Sequence, residues 1–364
     1  MDRTSVEPHI MTYLHQKGRV LGLPISGTFE LTPRCNFNCP MCYIHMTGEQ
    51  QAGRELTATQ WLQIARDARD AGMLVALLTG GEPLLRKDFF DIYSGMKQLG
   101  LMLSVNTNGS LLQGEILERF LADPPVRFNI SLYGGCNETY EKMCGAPMYD
   151  QVRNNIRALR QAGICVSLNL SITPYNKQDL DQIYADAQDL DVNIKASSYM
   201  YPPVRIRPDQ YGQGNRFSPE ESARESLRWD KLRFAPADFA NRIANIAALD
   251  ALAPECPADT DSGVRCRAGS TSFWLTWDGK MLPCGMMPYP SASPLETGFS
   301  AAWDAIRQAT AALRLPSACA SCPKKPVCPV CAAVCVTETG AFDQVPTYLC
   351  RQVSETVRLA KEEL

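Results

Sequence analysis

The amino-acid sequence predicts an α/β protein, in which a parallel β-sheet or barrel is followed by a cysteine-rich segment. Between Gly27 and Ser197, short apolar or β-branched runs alternate with segments of helical period, and strands joined by helical crossovers pair in parallel. The 364-residue chain also contains 15 cysteines but only three histidines, and nine of these cysteines lie between Cys256 and Cys350. The sequence therefore divides into an alternating part and a cysteine-rich part.

The alternating part contains six predicted strands and five predicted helices. The strands are Gly27 to Thr32, Leu74 to Thr79, Leu101 to Asn106, Arg127 to Leu132, Cys165 to Ile172 and Val192 to Ser197. The helices between them are Ala58 to Ala71, Phe89 to Leu99, Gln113 to Leu121, Tyr149 to Ala162 and Lys177 to Leu190. The first helix has Thr57 at its N-cap and Gln60 three residues later, which is the spacing of a capping box, and Gly72 follows its end.

One face of the predicted sheet is polar. Parallel strands that are covered on both faces read as continuous apolar runs, yet five of these six strands alternate polar and apolar residues. The polar positions are Glu30, Thr32, Ser104, Asn106, Asn129, Ser131, Ser167, Asn169, Ser171, Asn193, Lys195 and Ser197. Because burying unpaired polar groups is costly, they predict a barrel-like wall around a wet or ligand-filled lumen. An open sheet with one solvated face is the alternative, but helical crossovers would cover that face.

Composition excludes several classes of function. Hydrophobic residues make up 45% of the chain and charged residues 21%, as in an ordinary soluble protein. The net charge of −3 provides no basic field for nucleic acid, and no apolar run is long enough to cross a membrane. The N-terminus lacks the features of a secretory signal, so we expect a cytoplasmic protein. In that reducing compartment, cysteines are expected to be metal ligands or catalytic thiols.

A tight cysteine group directly follows the first predicted strand. Cys35, Cys39 and Cys42 lie within eight residues, in the segment CNFNCPMC. Three thiols this close can hold one face of a [4Fe–4S] cube and leave its fourth iron without a protein ligand, and an open metal position is typical of a catalytic site. A zinc loop is the alternative, with His45 as its local fourth ligand.

This group and three further segments resemble the radical S-adenosylmethionine (radical SAM) superfamily, whose signature is a CxxxCxxC loop. The segment Thr79 to Pro83 ends the second strand as the family's GGEP motif does, and TNG and SLYG segments end the third and fourth strands. The resemblance implies a partial (β/α)6 barrel with catalytic ligands Cys35, Cys39 and Cys42. It implies that SAM is held by Gly80, Gly81, Glu82, Pro83, Asn106 and Ser131, with Met41 near the adenine in place of the usual aromatic residue.

The C-terminal cysteines resemble the SPASM extension of radical SAM enzymes, which carries two auxiliary [4Fe–4S] clusters. The specific part is Cys319-x2-Cys322-x5-Cys328, and a zinc ribbon is the alternative. The resemblance implies an outer cluster on Cys319, Cys322, Cys328 and Cys350. The inner cluster would use Cys266, Cys284 and one of Cys331 and Cys335.

The sequence departs from this pattern at the inner cluster. The second inner ligand of some relatives falls near Ser270 and Thr271, so Cys256 is a candidate replacement. Two fully ligated clusters need eight thiolates and nine cysteines are present, so either one is spare or the inner cluster keeps an open iron. The chain is thus expected to comprise an N-terminal segment (1–26), a barrel (27–217), linking helices (218–255) and the cluster domain (256–364).

The resemblance implies an enzyme that cleaves SAM reductively and abstracts hydrogen from a substrate. We expect that substrate to be a ribosomal peptide or a protein, modified oxidatively, for example by a thioether or carbon–carbon crosslink. An electron donor such as flavodoxin or ferredoxin is expected. Because only 26 residues precede Gly27, a leader peptide is expected to bind without a fused recognition domain or to a separate protein.

Several alternatives remain open at this stage. They are a sulfatase-maturase-like enzyme, a small-metabolite oxidoreductase and a peptide epimerase. The residue after Cys284 is Gly285, where sulfatase-maturing relatives carry an Asp, which weighs against the first. An electron-transfer iron–sulfur protein would explain the cysteines but not the GGEP segment, and a zinc-stabilised binding module would explain only the C-terminus. Lys195, in the predicted lumen, and Cys144, after the fourth strand, are further candidate contacts.

Overall fold

The computed structural model describes residues 10–44, 55–205, 215–250 and 262–364. The strands are β1 (Ser26–Glu30), β2 (Val75–Thr79), β3 (Met102–Thr107), β4 (Arg127–Ser131), β5 (Val166–Ser171), β6 (Asn193–Ser197), β7 (Ser272–Leu275) and β8 (Met281–Leu282). The first seven helices are α1 (Ile10–Leu21), α2 (Ala58–Asp70), α3 (Phe89–Gln98), α4 (Gly114–Ala122), α5 (Asn137–Cys144), α6 (Tyr149–Gln161) and α7 (Leu180–Asp189). They are followed by α8 (Pro219–Arg233), α9 (Pro236–Ala247), α10 (Pro294–Thr297), α11 (Phe299–Ala312), α12 (Ser317–Ala320), α13 (Ala332–Thr339) and α14 (Thr347–Glu362).

All eight strands form one sheet, in the order β6-β5-β4-β3-β2-β1-β7-β8. Strands β1 to β6 are parallel to their neighbours, β7 is parallel to β1, and β8 is antiparallel to β7. Among the described residues the sheet does not close, because β6 pairs only with β5 and β8 only with β7. The predicted fold class, a partial barrel with a cysteine-rich C-terminal region, is confirmed.

The six predicted strands and five predicted helices are all present, with their ends shifted by a few residues at most. The capping box also forms, since the Gln60 amide donates to Thr57 Oγ1 (3.3 Å) and the Thr57 amide donates to Gln60 Oε1 (3.0 Å). The last predicted helix begins as a short 3-10 turn at Lys177–Asp179 before α7. Helix α5 was not predicted, and Cys144 is its last residue rather than part of a loop.

The apolar positions of the alternating strands pack outward against the helices. Phe29, Leu103, Phe128, Ile130 and Leu168 are fully or almost fully buried in one core. The polar positions of the same strands therefore face inward, as the two-residue period requires. Helices on the outer side and polar side chains on the inner side give a wall around a lumen.

The C-terminal region extends this core instead of standing apart from it. Phe273 on β7 contacts Phe29 and Phe299 edge to face, and Trp303 on α11 lies in the same core. Long-range pairing of β7 with β1 brings these residues into that core. Gly27 is needed there, since a Cβ would lie 2.4 Å from the Phe273 ring.

Among the described residues, no helix combines the length and apolar character that crossing a membrane requires.

Candidate active site and cysteine clusters

The loop after β1 borders a cavity of about 290 Å³ at the carboxyl ends of the strands. Chain direction makes this the edge at which parallel α/β sheets bind ligands. All three cysteines of the loop line the cavity. The lining is Pro33, Cys35, Phe37, Asn38, Cys39, Met41, Cys42, Tyr43, Ile44, Thr79, Gly80, Gly81, Asn106, Thr107, Asn108, Asn129, Ser131, Tyr133, Asn169 and Ser171. The three cysteines therefore line the same cavity as most of the predicted SAM contacts, namely Met41, Gly80, Gly81, Asn106 and Ser131.

Backbone packing joins the two glycines to the cysteine loop. The Gly81 amide donates to the carbonyl of Thr32 (2.7 Å), and the Glu82 amide donates to the carbonyl of Arg34 (2.8 Å). A Cβ on Gly80 would lie 2.6 Å from the Thr32 carbonyl oxygen, and one on Gly81 would lie 2.4 Å from that of Arg34. Only glycine permits this approach, which leaves the backbone of both segments facing the cavity.

Glu82 and Pro83, also predicted as SAM contacts, do not line the cavity. The Glu82 side chain is fully buried and accepts hydrogen bonds from Thr107 Oγ1 (2.9 Å), the Asn108 amide (2.7 Å) and the Leu84 amide (3.1 Å). Burial raises its pKa to about 7, although the backbone hydrogen bonds oppose that shift. In this arrangement Glu82 ties the end of β2 to the end of β3 and so positions residues that do reach the cavity.

Polar side chains from successive strands form the cavity wall opposite the cysteines. Asn106, Asn129, Ser131, Asn169 and Ser171 lie at or near the ends of β3, β4 and β5, and Asn129 Nδ2 donates to Asn106 Oδ1 (2.7 Å). The polar strand positions from Asn106 to Ser171 do face a cavity, as their alternation predicts. Only Asn106 and Ser131 were predicted as SAM contacts.

Two residues that were not predicted as cluster or SAM ligands, Cys144 and Tyr133 of the SLYG segment, lie against the cysteine loop. Cys144 is fully buried, and its side chain forms a hydrogen bond with Cys39 that, with burial, raises the pKa of Cys39. The carbonyl of Cys144 also accepts from the Asn38 amide (2.8 Å). Tyr133 lines the cavity, and burial raises the pKa of its hydroxyl, which therefore stays protonated. Helix α5 thus packs directly behind the cysteine loop.

Four C-terminal cysteines come together at what we call the outer site: Cys319, Cys322, Cys328 and Cys350. Each lies within electrostatic range of others in the set, and burial raises the pKa of Cys328 to about 11. These are the four residues that the SPASM pattern implies for the outer cluster. Cys335 is fully buried on α13 and lies near this set and near Cys331.

Three further cysteines form the inner site: Cys266, Cys284 and Cys331. The Cys284 thiol lies within electrostatic range of the other two, and burial raises its pKa to about 11. Tyr201 lies among them, with its hydroxyl 3.8 Å from Cys331 Sγ. The structure thus places Cys331, rather than Cys335, with Cys266 and Cys284. Cys256 lies outside the described residues, as does His45.

The donor set fits iron–sulfur clusters. All fourteen cysteines of the described residues are free thiols, and iron would deprotonate those that bind it. No three His, Cys, Asp or Glu side chains in the described part of the chain converge on a point where one metal ion would bind. A cubane instead takes one thiolate at each of its separated iron corners. Two cavities leave space beside the three thiols of the inner site: one of about 800 Å³ is bordered by Cys266 and Cys284, and one of about 350 Å³ is bordered by Cys266 and Cys331.

The two residues that stand where some relatives carry the second inner ligand have other partners. Thr271 Oγ1 lies 2.8 Å from Nδ1 of the buried His15. Ser270 Oγ donates to the carbonyl of Cys266 (3.2 Å). Both residues therefore brace the backbone around Cys266.

An ion pair connects the inner face of β1 to the backbone beside Cys284. Glu30, on the inner face of β1, is fully buried and accepts from Trp274 Nε1 (2.7 Å) and Arg205 Nη2 (3.1 Å). Arg205 also donates to the carbonyl of Gly285 (3.3 Å), next to Cys284. Burial raises the pKa of Glu30, and its second oxygen has no partner. A Cβ at Gly285 would lie 2.6 Å from the Trp274 ring, so the indole requires glycine there.

The sequence reasoning did not identify Tyr133, Tyr201 or Arg205 as site residues. Tyr201 and Arg205 lie in the segment after β6, where no strand or helix period indicates an orientation. Lys195 is exposed on β6, aligned with Asn169 of β5, but it does not line the cavity.

Comparison with known proteins agrees with this geometry. The family model described as the radical SAM superfamily matches residues 29–187. An AdoMet-dependent heme synthase of Methanosarcina barkeri is 26% identical over 333 residues, which cover 88% of this chain and 94% of that protein. A probable GTP 3',8-cyclase of Saccharolobus islandicus is 36% identical over 165 residues, so that the chain spans about half (53%) of that relative's length.

Solved structures share the fold over almost the whole chain. Streptococcus suis SuiB bound to the precursor peptide SuiA gives a TM-score of 0.67 at 15% identity, covering 96% of this chain and 83% of SuiB. The protein anSMEcpe with bound AdoMet gives a TM-score of 0.66 at 15% identity, covering 93% of this chain and 98% of that one. Residues 29–187, which carry the three-cysteine loop, the Gly-Gly strand end and the polar strand ends around one cavity, match the radical SAM superfamily, so this part of the chain is a radical SAM domain.

Proposed function

We propose that this enzyme uses SAM to modify a peptide substrate oxidatively. One observation carries the proposal: Cys35, Cys39 and Cys42 share a single cavity with Gly80, Gly81 and the polar strand ends. When bound, a [4Fe–4S] cluster and SAM supply a 5′-deoxyadenosyl radical that abstracts hydrogen from the substrate. The three cysteines would hold the cluster. The backbone of Gly80 and Gly81, which lines the cavity, would accept the amino group of SAM.

The rest of the wall would orient and shield the reactants. Asn106 and Ser131 would bind the ribose and carboxylate of SAM, and Met41 would pack near the adenine. The side chain of Glu82 would act from behind, by fixing the backbone of Asn108. Positioning and exclusion of water supply the selectivity of such a reaction, since the reacting atoms must lie close together before hydrogen transfer.

The open side of the sheet supports a peptide rather than a small enclosed substrate. Strand β6 is an edge strand, and its inward positions Asn193, Lys195 and Ser197 are exposed. An extended chain can therefore reach the lumen without threading through a closed barrel. SuiB and anSMEcpe, which share the fold, have been solved with bound peptides.

We further propose auxiliary [4Fe–4S] clusters at the outer and inner sites. The outer site offers four thiols, and the inner site offers three with Cys256 as the candidate fourth. These clusters would accept the electron that leaves the substrate during oxidation. A flavodoxin or ferredoxin would reduce the catalytic cluster, and a separate protein would bind a leader peptide.

A heme precursor is the second candidate substrate. It is favoured by the similarity to the AdoMet-dependent heme synthase, which extends over 94% of that protein, including its C-terminal region. The exposed Lys195 at the open edge would suit a carboxylate group of such a substrate.

Anaerobic reconstitution tests the proposal. The reduced protein should convert SAM to 5′-deoxyadenosine, whereas a Cys39→Ala variant should not. About twelve irons per chain would indicate three cubane clusters, and about four would remove the auxiliary clusters from the proposal. Incubation with peptides encoded beside the gene, and separately with porphyrins that carry propionate groups, followed by mass spectrometry, decides between the two substrates. Absence of 5′-deoxyadenosine under all conditions would contradict the enzymatic function itself.

A further inference from the structure

The inner site contains a partly buried hydroxyl that no cysteine pattern predicts. The hydroxyl of Tyr201 lies 3.8 Å from Cys331 Sγ, and its ring packs in an apolar cluster with Cys284, Cys331 and Met287. Cys284, Cys331 and Cys266 are also the thiols in electrostatic range of Tyr201. Tyr201 is therefore half-buried, with its hydroxyl directed at the thiols of the inner site.

The direction of this hydrogen bond follows from the chemistry of the site. In the metal-free protein either the thiol or the phenol can donate. Once Cys331 binds iron its sulfur carries no proton, so only the phenol can donate. A phenol carries its proton at neutral pH and is therefore able to donate.

A second set of contacts fixes Tyr201 in place. Its ring meets that of Tyr199 edge to face, with centroids 5.1 Å apart. The hydroxyl of Tyr199 donates to Glu338 (2.6 Å), and Glu338 forms a buried ion pair with Arg216. Side chains held by a charged network of this kind lose little freedom when they form a further hydrogen bond.

We propose that Tyr201 is a positioning residue for the inner cluster: its hydroxyl donates a hydrogen bond to Cys331 and makes that cluster easier to reduce. This inference rests on the proposed function, because it concerns an auxiliary cluster at the inner site. A donor to a ligating sulfur stabilises the negative charge that the cluster gains on reduction, and hydrogen bonds to sulfur are an established determinant of cluster potentials. An inner cluster with a raised potential is suited to accept an electron from an oxidised substrate.

The test compares two tyrosines that differ only in what their hydroxyls contact. Wild type, Tyr201→Phe and the matched control Tyr199→Phe are reconstituted anaerobically, their iron is counted, and the midpoint potential of each cluster is measured by redox titration with electron paramagnetic resonance. We expect Tyr201→Phe to retain its iron and to shift only the inner-cluster midpoint, toward more negative potential. Tyr199→Phe loses only the hydroxyl contact to Glu338 and keeps the ring that packs against Tyr201, so it should leave that midpoint unchanged.

Each other outcome also decides the matter. An unchanged midpoint in Tyr201→Phe, or an equal shift in Tyr199→Phe, would overturn the role of Tyr201 while leaving the inner cluster in place. A wild-type protein with no inner-cluster signal would overturn the proposed cluster as well. If the Tyr201→Phe variant loses its inner cluster, protein with 3-fluorotyrosine at position 201 is titrated in its place. This stronger donor should shift the midpoint toward more positive potential, and no shift would refute the hydrogen bond.

Discussion

The substitution Gly81→Ala should push the Gly-Gly segment away from the cysteine loop. In Gly81→Ala the new Cβ would lie 2.4 Å from the carbonyl oxygen of Arg34 and 2.8 Å from that of Pro33. Both contacts are with backbone, so no side chain can rotate away. The Gly-Gly segment and the cysteine loop must move apart by about 0.6 Å to reach even the 3.0 Å below which such contacts are not found.

The displacement has a measurable cost. It strains the two backbone hydrogen bonds that Gly81 and Glu82 donate to Thr32 and Arg34. It also moves the backbone proposed to bind SAM relative to the three cysteines, and a misplacement of about 1 Å can lower a rate roughly 100-fold. For a somewhat smaller shift we expect 5′-deoxyadenosine formation to fall between about 10-fold and 100-fold. Iron content should stay near the wild-type value, because the three cysteines belong to one loop.

The assay is anaerobic turnover of SAM by the dithionite-reduced protein, with 5′-deoxyadenosine quantified by chromatography. Gly95→Ala is the matched control, since its Cβ would meet the movable end of the Leu62 side chain within a helix. Wild-type turnover in Gly81→Ala would refute the idea that contact between the two segments sets the geometry of the site. An equal loss in Gly95→Ala would show that the assay reports general destabilisation.

Three further outcomes are expected. Burial raises the pKa of Glu82 to about 7, so the stability that Glu82 contributes is present below about pH 4.5 and is lost as the pH rises through 7. Glu82→Gln should therefore remove roughly 3 kcal/mol of this pH dependence, measured by thermal unfolding of the metal-free protein. Arg205→Met should lower the free energy of unfolding, measured by denaturant titration, by about 3–5 kcal/mol because it leaves Glu30 buried without its partner. Adding Glu30→Gln to the same chain should recover part of this loss. Cys144→Ala should retain its iron, since Cys144 contacts Cys39 without belonging to the cysteine loop, and loss of a cluster in iron analysis would identify it as a ligand.

The alternating strands were predictable because their signal is local. A period of two fixes which residues face the core, and six strands in sequence fix where their carboxyl ends meet. Asn106, Asn129 and Asn169 therefore line the cavity as the pattern requires. Neither this period nor the GGEP segment indicates how deeply a side chain is buried. Glu82 was predicted as a SAM contact, yet its side chain is fully buried and does not line the cavity.

The features that the sequence did not predict depend on contacts between distant parts of the chain. Strand β7 aligns Ser272 with Ser26, and no local period in the C-terminal segment indicates that partner. The choice of Cys331 over Cys335 for the inner site is of the same kind. The two lie one turn apart at α13, and only the packing of that helix decides which of them lies beside Cys284.

The segment after β6 connects the two chemical centres in a way that neither cysteine pattern implies. Tyr201 contacts Cys331 of the inner site, and four residues later Arg205 reaches Glu30 on the inner face of β1 and the carbonyl of Gly285. The segment thus contacts both the lumen and the inner site. Tyr201 provides a neutral hydroxyl at the inner site, and Arg205 provides a positive charge beside Glu30. Since Arg205 neutralises Glu30, a substrate that entered beside them would meet little net charge, whereas a change at either residue would expose a buried charge. Selectivity at the open side of the sheet is therefore expected to depend on this loop as much as on the strand ends.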